Sequence, residues 1–135
     1  MTLQTTQQSL AKWHHMIQAS DLSALNELLD DAVVFRSPVA FKPYEGKQVV
    51  FFILTNVIQV FENFIYHREF YTEDGENVVL EFSANVSGKS LKGIDMIRFN
   101  EQGKIIDFEV MIRPMSGLAA LAEKMGERFA KYQPN

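Results

Sequence analysis

Asn77-Val78-Val79-Leu80-Glu81-Phe82-Ser83-Ala84-Asn85-Val86-Ser87 is the stretch on which the fold turns. Leu80, Phe82, Ala84 and Val86 alternate with Glu81, Ser83 and Asn85, the period of two that a strand with one buried face requires. Working outward, Glu73-Asp74-Gly75-Glu76 is a turn whose Asp-Gly pair is a hairpin signal, and residues 64–72 before it read as a partner strand. On the other side Gly88-Lys89 turns the chain into a strand over residues 90–99. Asn100-Glu101-Gln102-Gly103 turns it again into residues 104–112, and Pro114 closes the sheet. The reading is four consecutive antiparallel strands.

The chain before this meander reads as helix. Leu10, Trp13, Met16 and Ile17 recur at three- and four-residue spacing and predict an amphipathic helix over residues 3–19. Asp21 can cap a second, short helix carrying Leu22, Leu25, Leu28 and Leu29, which Asp30-Asp31 ends. Val33-Val34-Phe35 predicts a short strand, stopped at Ser37-Pro38 because proline cannot donate to a ladder. Residues 41–46 read as a loop. Residues 47–61 are apolar on nearly every side, which predicts a helix buried between layers. Residues 115–132 return to helical spacing through Leu118, Leu121, Ala122, Met125 and Phe129.

Helices grouped before a meander indicate an α+β domain. The expected form is a cone-shaped barrel, a curved and mostly antiparallel sheet with the helices packed on its inner face. No linker, repeat or low-complexity block divides the chain, so residues 1–135 are read as one domain. A chain of this length buries about two-thirds of its unfolded surface. Helices closing a curved sheet leave a tapering cavity, a usual place for a ligand.

Bulk properties narrow the function. The formal net charge is −4, so no broad basic field is offered to phosphates and no nucleic-acid partner is expected. There are no cysteines, which removes disulfides, thiolate metal sites and a cysteine nucleophile. The three histidines have no paired spacing, so neither metal nor other cofactor is expected. The polar start of the chain does not read as a signal peptide, and the longest apolar run, at residues 49–54, is far below the roughly 18–20 residues that cross a bilayer. A cytoplasmic protein with no membrane partner is the expectation.

Several segments, taken in order, carry a family resemblance: Trp13-His14-His15-Met16-Ile17-Gln18-Ala19-Ser20-Asp21, Asp31-Ala32-Val33-Val34-Phe35-Arg36-Ser37-Pro38, Tyr44-Glu45-Gly46, Gly93-Ile94-Asp95-Met96-Ile97-Arg98-Phe99 and Gly103-Lys104-Ile105. Together they resemble the nuclear transport factor 2-like superfamily, in its SnoaL-like and ketosteroid-isomerase-like branch, over nearly the whole chain. The resemblance implies a conical cystatin-like barrel with a hydrophobic pocket, and often a homodimer through the outer sheet face. It implies no single activity, because this fold hosts isomerases, cyclases, hydrolases, dehydratases and proteins without known chemistry.

Asp95 is the leading candidate for chemistry. Alternation puts it on one face with Ile97 and Phe99; if that face lines the cavity, burial raises its pKa and a neutral carboxyl can donate to a carbonyl oxygen. The other placement is a solvent-facing or arginine-paired aspartate. The resemblance matches Asp95 to the acid that binds an oxyanion in the isomerases and matches His14 to their tyrosine donor, so a His14–Asp95 dyad is one expectation; a half-buried histidine satisfied by backbone or water is the other. The isomerases' base falls at Ser37, which is a poor proton acceptor, so steroid-type isomerisation is not expected. Gly93 stands where the epoxide-hydrolase relatives carry arginine. Trp13, Ser37, Phe82, Ile97, Phe99, Phe108 and Val110 are expected to wall the pocket. Arg36 and Arg113 can hold a carboxylate at the cavity mouth or form ion pairs with Asp107 or Glu109; alternation favours the outer face for Arg113, beside Met96, Arg98, Glu109 and Met111. The expected function is binding of a small apolar or carbonyl-bearing ligand, with or without acid–base chemistry of isomerase, cyclase or dehydratase type; the alternative is a non-catalytic ligand-binding or dimerising module.

Overall fold

The structure, a computed structural model, describes residues 2–131. Helix α1 (Thr2–Ala19) leads through a 3-10 turn (Leu25–Glu27) into strands β1 (Leu29–Arg36) and β2 (Tyr44–Glu45). Helix α2 (Lys47–Val60) follows, then β3 (Glu62–Tyr71), β4 (Asn77–Val86), β5 (Lys89–Phe99), β6 (Ile105–Arg113) and helix α3 (Met115–Ala130). The expected end of the last helix, at residue 132, lies outside the described residues.

All strands join one six-stranded sheet in the order β2-β1-β6-β5-β4-β3. β3 to β6 form the expected meander. β1 adds to it beside β6 and runs parallel to it, and every other pairing is antiparallel. The sheet is curved but not closed into a full barrel. Register shifts in three of its ladders supply the bends. The tight turn between β4 and β5 sits at Ser87-Gly88, one residue earlier than expected, with both residues left-handed (φ 51° and 79°), as a two-residue hairpin needs.

Four elements differ from the sequence reading. The expected second helix is only the 3-10 turn, and Leu29 already pairs with Ile105 in β1. β1 is eight residues long because Asp30 and Asp31 lie within it rather than ending a helix. Asp30 makes this possible by accepting the amide of Ala32 (2.9 Å) and the side-chain amide of Asn100 (3.1 Å), holding a bulge in place. The expected loop contains β2, where Tyr44 and Glu45 pair with Phe35 and Val34. α2 is apolar all round in sequence, yet only Val50, Ile53, Leu54 and Asn56 are fully buried. Phe52 on its outer side stacks on Phe129 of α3 at 5.6 Å.

The core lies between the sheet's inner face and the helices. Leu80, Phe82, Ala84 and Val86 are all buried, as the alternation in β4 requires. α1 is fixed to the strand turns at its N-terminal half. The Thr6 hydroxyl donates to Gly75 O (2.6 Å) and the Ser9 hydroxyl to Gly103 O (2.5 Å). Both glycines have positive φ and lie so close to α1 that a Cβ would collide with it. These two bonds tie the β3–β4 and β5–β6 turns to one helix and set where Trp13, two turns further on, enters the core.

Candidate functional site

β5 alternates cleanly: Leu91, Gly93, Asp95, Ile97 and Phe99 are buried, while Lys92, Met96 and Arg98 are exposed. Asp95 therefore points inward, 5% exposed. Burial pushes its pKa up from 3.8 to about 7, against a hydrogen bond from Tyr66 that pulls it down.

Tyr66 reaches Asp95 because β3 is irregular. The register of β3 against β4 shifts between Glu62 and Ile65, where Asn63 is left-handed, and again between Tyr66 and Glu69. The second shift places one extra residue across His67 and Arg68. Both turn outward, His67 to Ser83 (2.8 Å) and Arg68 to Glu81, while Tyr66 before them and Glu69 after them face the helices. The Tyr66 hydroxyl lies 2.6 Å from Asp95 Oδ2, and Trp13 Nε1 donates to the same hydroxyl at 2.9 Å. An indole N–H can only donate, so the phenol oxygen accepts there and its own proton is free for Oδ2. The opposite arrangement, with Asp95 donating to Tyr66, would leave the buried phenol proton without an acceptor, at a cost of about 1–3 kcal/mol. Burial, and then the neighbouring Asp95, raise the Tyr66 pKa well above 10.0, so the phenol stays protonated.

Asp95 and Tyr66 line a cavity whose other walls are apolar or aromatic, including Trp13, Leu54, Phe108 and Val110. Its free volume is about 40 Å³. That is room for roughly three waters, far below the few hundred Å³ of a usual small-molecule site. Asp95 Oδ1 has no hydrogen-bond partner among the described residues, although no buried side-chain polar atom is left fully enclosed without one. A larger outer hollow of about 570 Å³ shares Ile17, Ile58, Phe61, Phe64 and Tyr66 with the inner cavity and adds the polar side chains of His14, Gln18 and Asn63. Phe61 and Phe64, 5.3 Å apart, stand on the wall between the two.

Of the residues expected at the site, Asp95, Trp13, Phe108 and Val110 line the inner cavity. His14 does not meet Asp95. One residue along the helix from Trp13, it faces the outer hollow, and its Nε2 lies 2.6 Å from Glu69 Oε1. Its ring packs edge-on against Tyr66 (5.2 Å), so the phenol stands between histidine and carboxyl and the expected dyad does not form. Ser37 is also outside: its Oγ accepts the Val39 amide (3.1 Å) and Pro38 takes the wall position. Phe82 lies behind the wall, stacked on Phe64 at 5.0 Å. Ile97 and Phe99 share the Asp95 face but are packed into the core beyond the cavity. Tyr66, the residue that contacts Asp95, was not singled out from the sequence, and the bulges around it explain why simple alternation gives no facing for β3.

The arginines do not enter the cavity. Arg36 pairs with both oxygens of Asp107 (3.1 to 3.3 Å), and Arg113 is exposed at the end of β6, as alternation suggested. On the outer face Glu81 is clamped by Arg68 (2.7 Å) and Lys92 (3.0 Å), which hold its pKa down at about 2. Among the described residues no three His, Asp or Glu side chains gather to hold a metal ion, and no helix is long and apolar enough to cross a membrane.

Comparison with known proteins agrees with this fold. The chain is similar to the crystal structure of a steroid delta-isomerase from Pseudomonas aeruginosa, with 57% identity, TM-score 0.93, and 95% of this chain and 93% of that one covered. It is similar to an uncharacterised bacterial protein with a cystatin-like fold from Silicibacter pomeroyi, with 34% identity, TM-score 0.82, and 89% and 84% covered. A nuclear-transport-factor-2-like protein of unknown function from Mesorhizobium loti shares the fold at 17% identity, TM-score 0.75, and 84% and 95% covered. No curated protein matches the chain. The family model for the SnoaL-like domain matches residues 10–108, which hold Trp13, Tyr66 and Asp95, and the chain belongs to that family.

Proposed function

We propose that this chain binds a small, mostly apolar molecule through an oxygen, most simply a carbonyl, presented to Asp95, and that Asp95 works there as an acid–base group near neutral pH. The observation that carries this reading is a buried carboxyl in an otherwise apolar cavity whose Oδ1 has no partner among the described residues. A pKa of about 7 lets Asp95 exchange between a donor and an acceptor close to physiological pH. The inner cavity has space only for the functional group of such a ligand. Its remaining bulk belongs in the outer hollow, with the side chains between the two giving way.

The name of the Pseudomonas aeruginosa relative brings isomerisation of a steroid double bond into the test. Moving a proton between two carbons needs a base as well as a donor to the oxygen. Asp95 and Tyr66 are the titratable side chains on the inner wall, and Ser37 lies away from it. This argues against a steroid-type double-bond shift and leaves Asp95 to exchange a proton with the ligand oxygen alone. The exposed Ile65, Met96 and Met111 on the outer sheet face support pairing with a second copy of the chain.

Trp13 is the sole tryptophan and lines the cavity, so its fluorescence reports occupancy. The test compares cyclohexanone with methylenecyclohexane, which replaces the oxygen by a methylene group. Tighter binding of the ketone, lost in Asp95→Ala, supports the reading. Equal binding of both removes it. Formation of the conjugated enone from a β,γ-unsaturated steroid ketone separates turnover from binding.

A further inference from the structure

We infer that Tyr66 decides what Asp95 offers to a ligand: Trp13 donates to Tyr66 and Tyr66 donates to Oδ2, so the proton of neutral Asp95 lies on Oδ1, facing the cavity, and the site takes its ligand through an acceptor oxygen. This deepens the carbonyl-ligand reading and rests on it.

Trp13 Nε1 has no lone pair to offer, so the 2.9 Å contact fixes the phenol oxygen as acceptor. The phenol has one proton, and among the described residues its one further hydrogen-bond partner is Oδ2 at 2.6 Å. A carboxyl whose Oδ2 already accepts a strong bond holds its own proton on the other oxygen. Oδ1 is that oxygen, and it has no partner among the described residues. Ketones, enolates and ether oxygens satisfy it, whereas a methylene group does not. Tyr66 touches Asp95 rather than the ligand oxygen in this scheme, so it is a positioning residue.

Few other charges bear on Asp95. Tyr66 faces it from β3, and His14 of α1 lies behind the Tyr66 ring, paired with Glu69. β1, β6, α2 and α3 present only apolar side chains to the cavity, Phe35, Phe108, Leu54 and Leu121 among them. The pH response of the site is therefore dominated by the Tyr66–Asp95 bond. Because that bond favours the ionised carboxyl, removing it leaves burial unopposed.

The test follows the Asp95 side-chain carboxyl by carbon-13 NMR across pH, and cyclohexanone binding by Trp13 fluorescence, in the wild type and Tyr66→Phe. In the wild type, ketone affinity holds below the Asp95 titration and falls about ten-fold per pH unit above it, while methylenecyclohexane is indifferent to pH. In Tyr66→Phe both the titration and the break in ketone affinity move upward together, by about one pH unit or more. A merely structural loss weakens both probes without moving the break. Trp13→Phe, read by NMR alone, gives a smaller upward movement and serves if Tyr66→Phe does not fold. The inference is overturned if Asp95 titrates at the same pH or lower in both variants, or if wild-type ketone affinity rises as Asp95 ionises. An Asp95 titration that moves as expected beside a ketone that never binds keeps the Tyr66 assignment and sinks the carbonyl reading instead.

Discussion

Asp95→Asn should make the protein more stable, and by an amount that depends on pH in a defined way. In the unfolded chain the carboxyl ionises near its ordinary 3.8; in the folded protein it holds its proton to about pH 7. Between those values the folded state binds the extra proton, so folding stability falls as pH rises across this window and levels off above it. A displacement of about three pH units, at about 1.4 kcal/mol each, amounts to roughly 4 kcal/mol lost between about pH 4 and about pH 8. Asparagine keeps an acceptor for the Tyr66 hydroxyl and cannot ionise. Its own packing and hydrogen-bonding offset does not depend on pH, nor do the other titrating groups survive in the difference between the two proteins. The measurement is urea denaturation of wild type and variant at several pH values. The gap in unfolding free energy should widen by about 1.4 kcal/mol per pH unit from about pH 4 to about pH 7, then stay constant. Two stability curves that run parallel through that window refute the buried, proton-holding carboxyl and with it the donor role of Asp95.

Three other substitutions probe the surroundings of the site. Gly93→Ala puts a Cβ at 2.5 Å from Met111 O and 2.7 Å from the Phe82 ring, so the β5–β6 ladder must shift; a loss of about 1–3 kcal/mol is expected in chemical denaturation, and a neutral result would mean the ladder yields freely. Glu81→Gln should flatten the acid limb of the stability curve. The folded pKa of Glu81 lies at about 2, below the ordinary 4.5, so its contribution is present above about pH 4.5 and disappears as pH falls through about 2, and acid titration followed by circular dichroism reads the difference. His14→Ala should leave the Asp95 carboxyl titrating within about half a pH unit of the wild-type value by NMR, since Tyr66 separates them; a larger displacement would bring back a direct His14–Asp95 interaction.

The sheet was legible where the chain keeps a regular period. In β4 and β5 every second residue is buried, Val78 to Val86 in the one and Leu91 to Phe99 in the other, and Glu81, held by Arg68 and Lys92, is the buried residue of the opposite face. It was illegible where side chains rather than the period set the path. Asp30 and Asp31 look like a helix stop; instead Asp30 holds the bulge that lets β1 begin at Leu29, and only pairing with the distant Ile105 reveals a strand there. β2 has two residues, too few for any period. The leucines at 22, 25, 28 and 29 are all buried, as a helical stripe would have them, but Leu28 and Leu29 are adjacent and belong to a turn and a strand start.

The site was half legible for the same reason. Asp95 sits in the most regular strand, so alternation placed it correctly, and burial did the rest. Its partner came from the least regular strand. Either shift in β3 alone would reverse which side chains face inward, and both lie within a few residues of Tyr66, so counting from Phe64 or from Glu69 gives opposite answers. The family resemblance pointed to a donor on the first helix at His14. The helix does supply a donor, one residue earlier at Trp13, and it acts on Tyr66 rather than on a ligand. A step of one residue turns a helix by about 100°. That rotation carries position 13 into the cavity and position 14 out to Glu69. What joins helix to carboxyl is then a phenol from a third element, and this makes Asp95 a different group from the free acid that alternation alone describes. An acid with one oxygen already committed has a single way to meet a ligand, and the irregular strand provides that constraint.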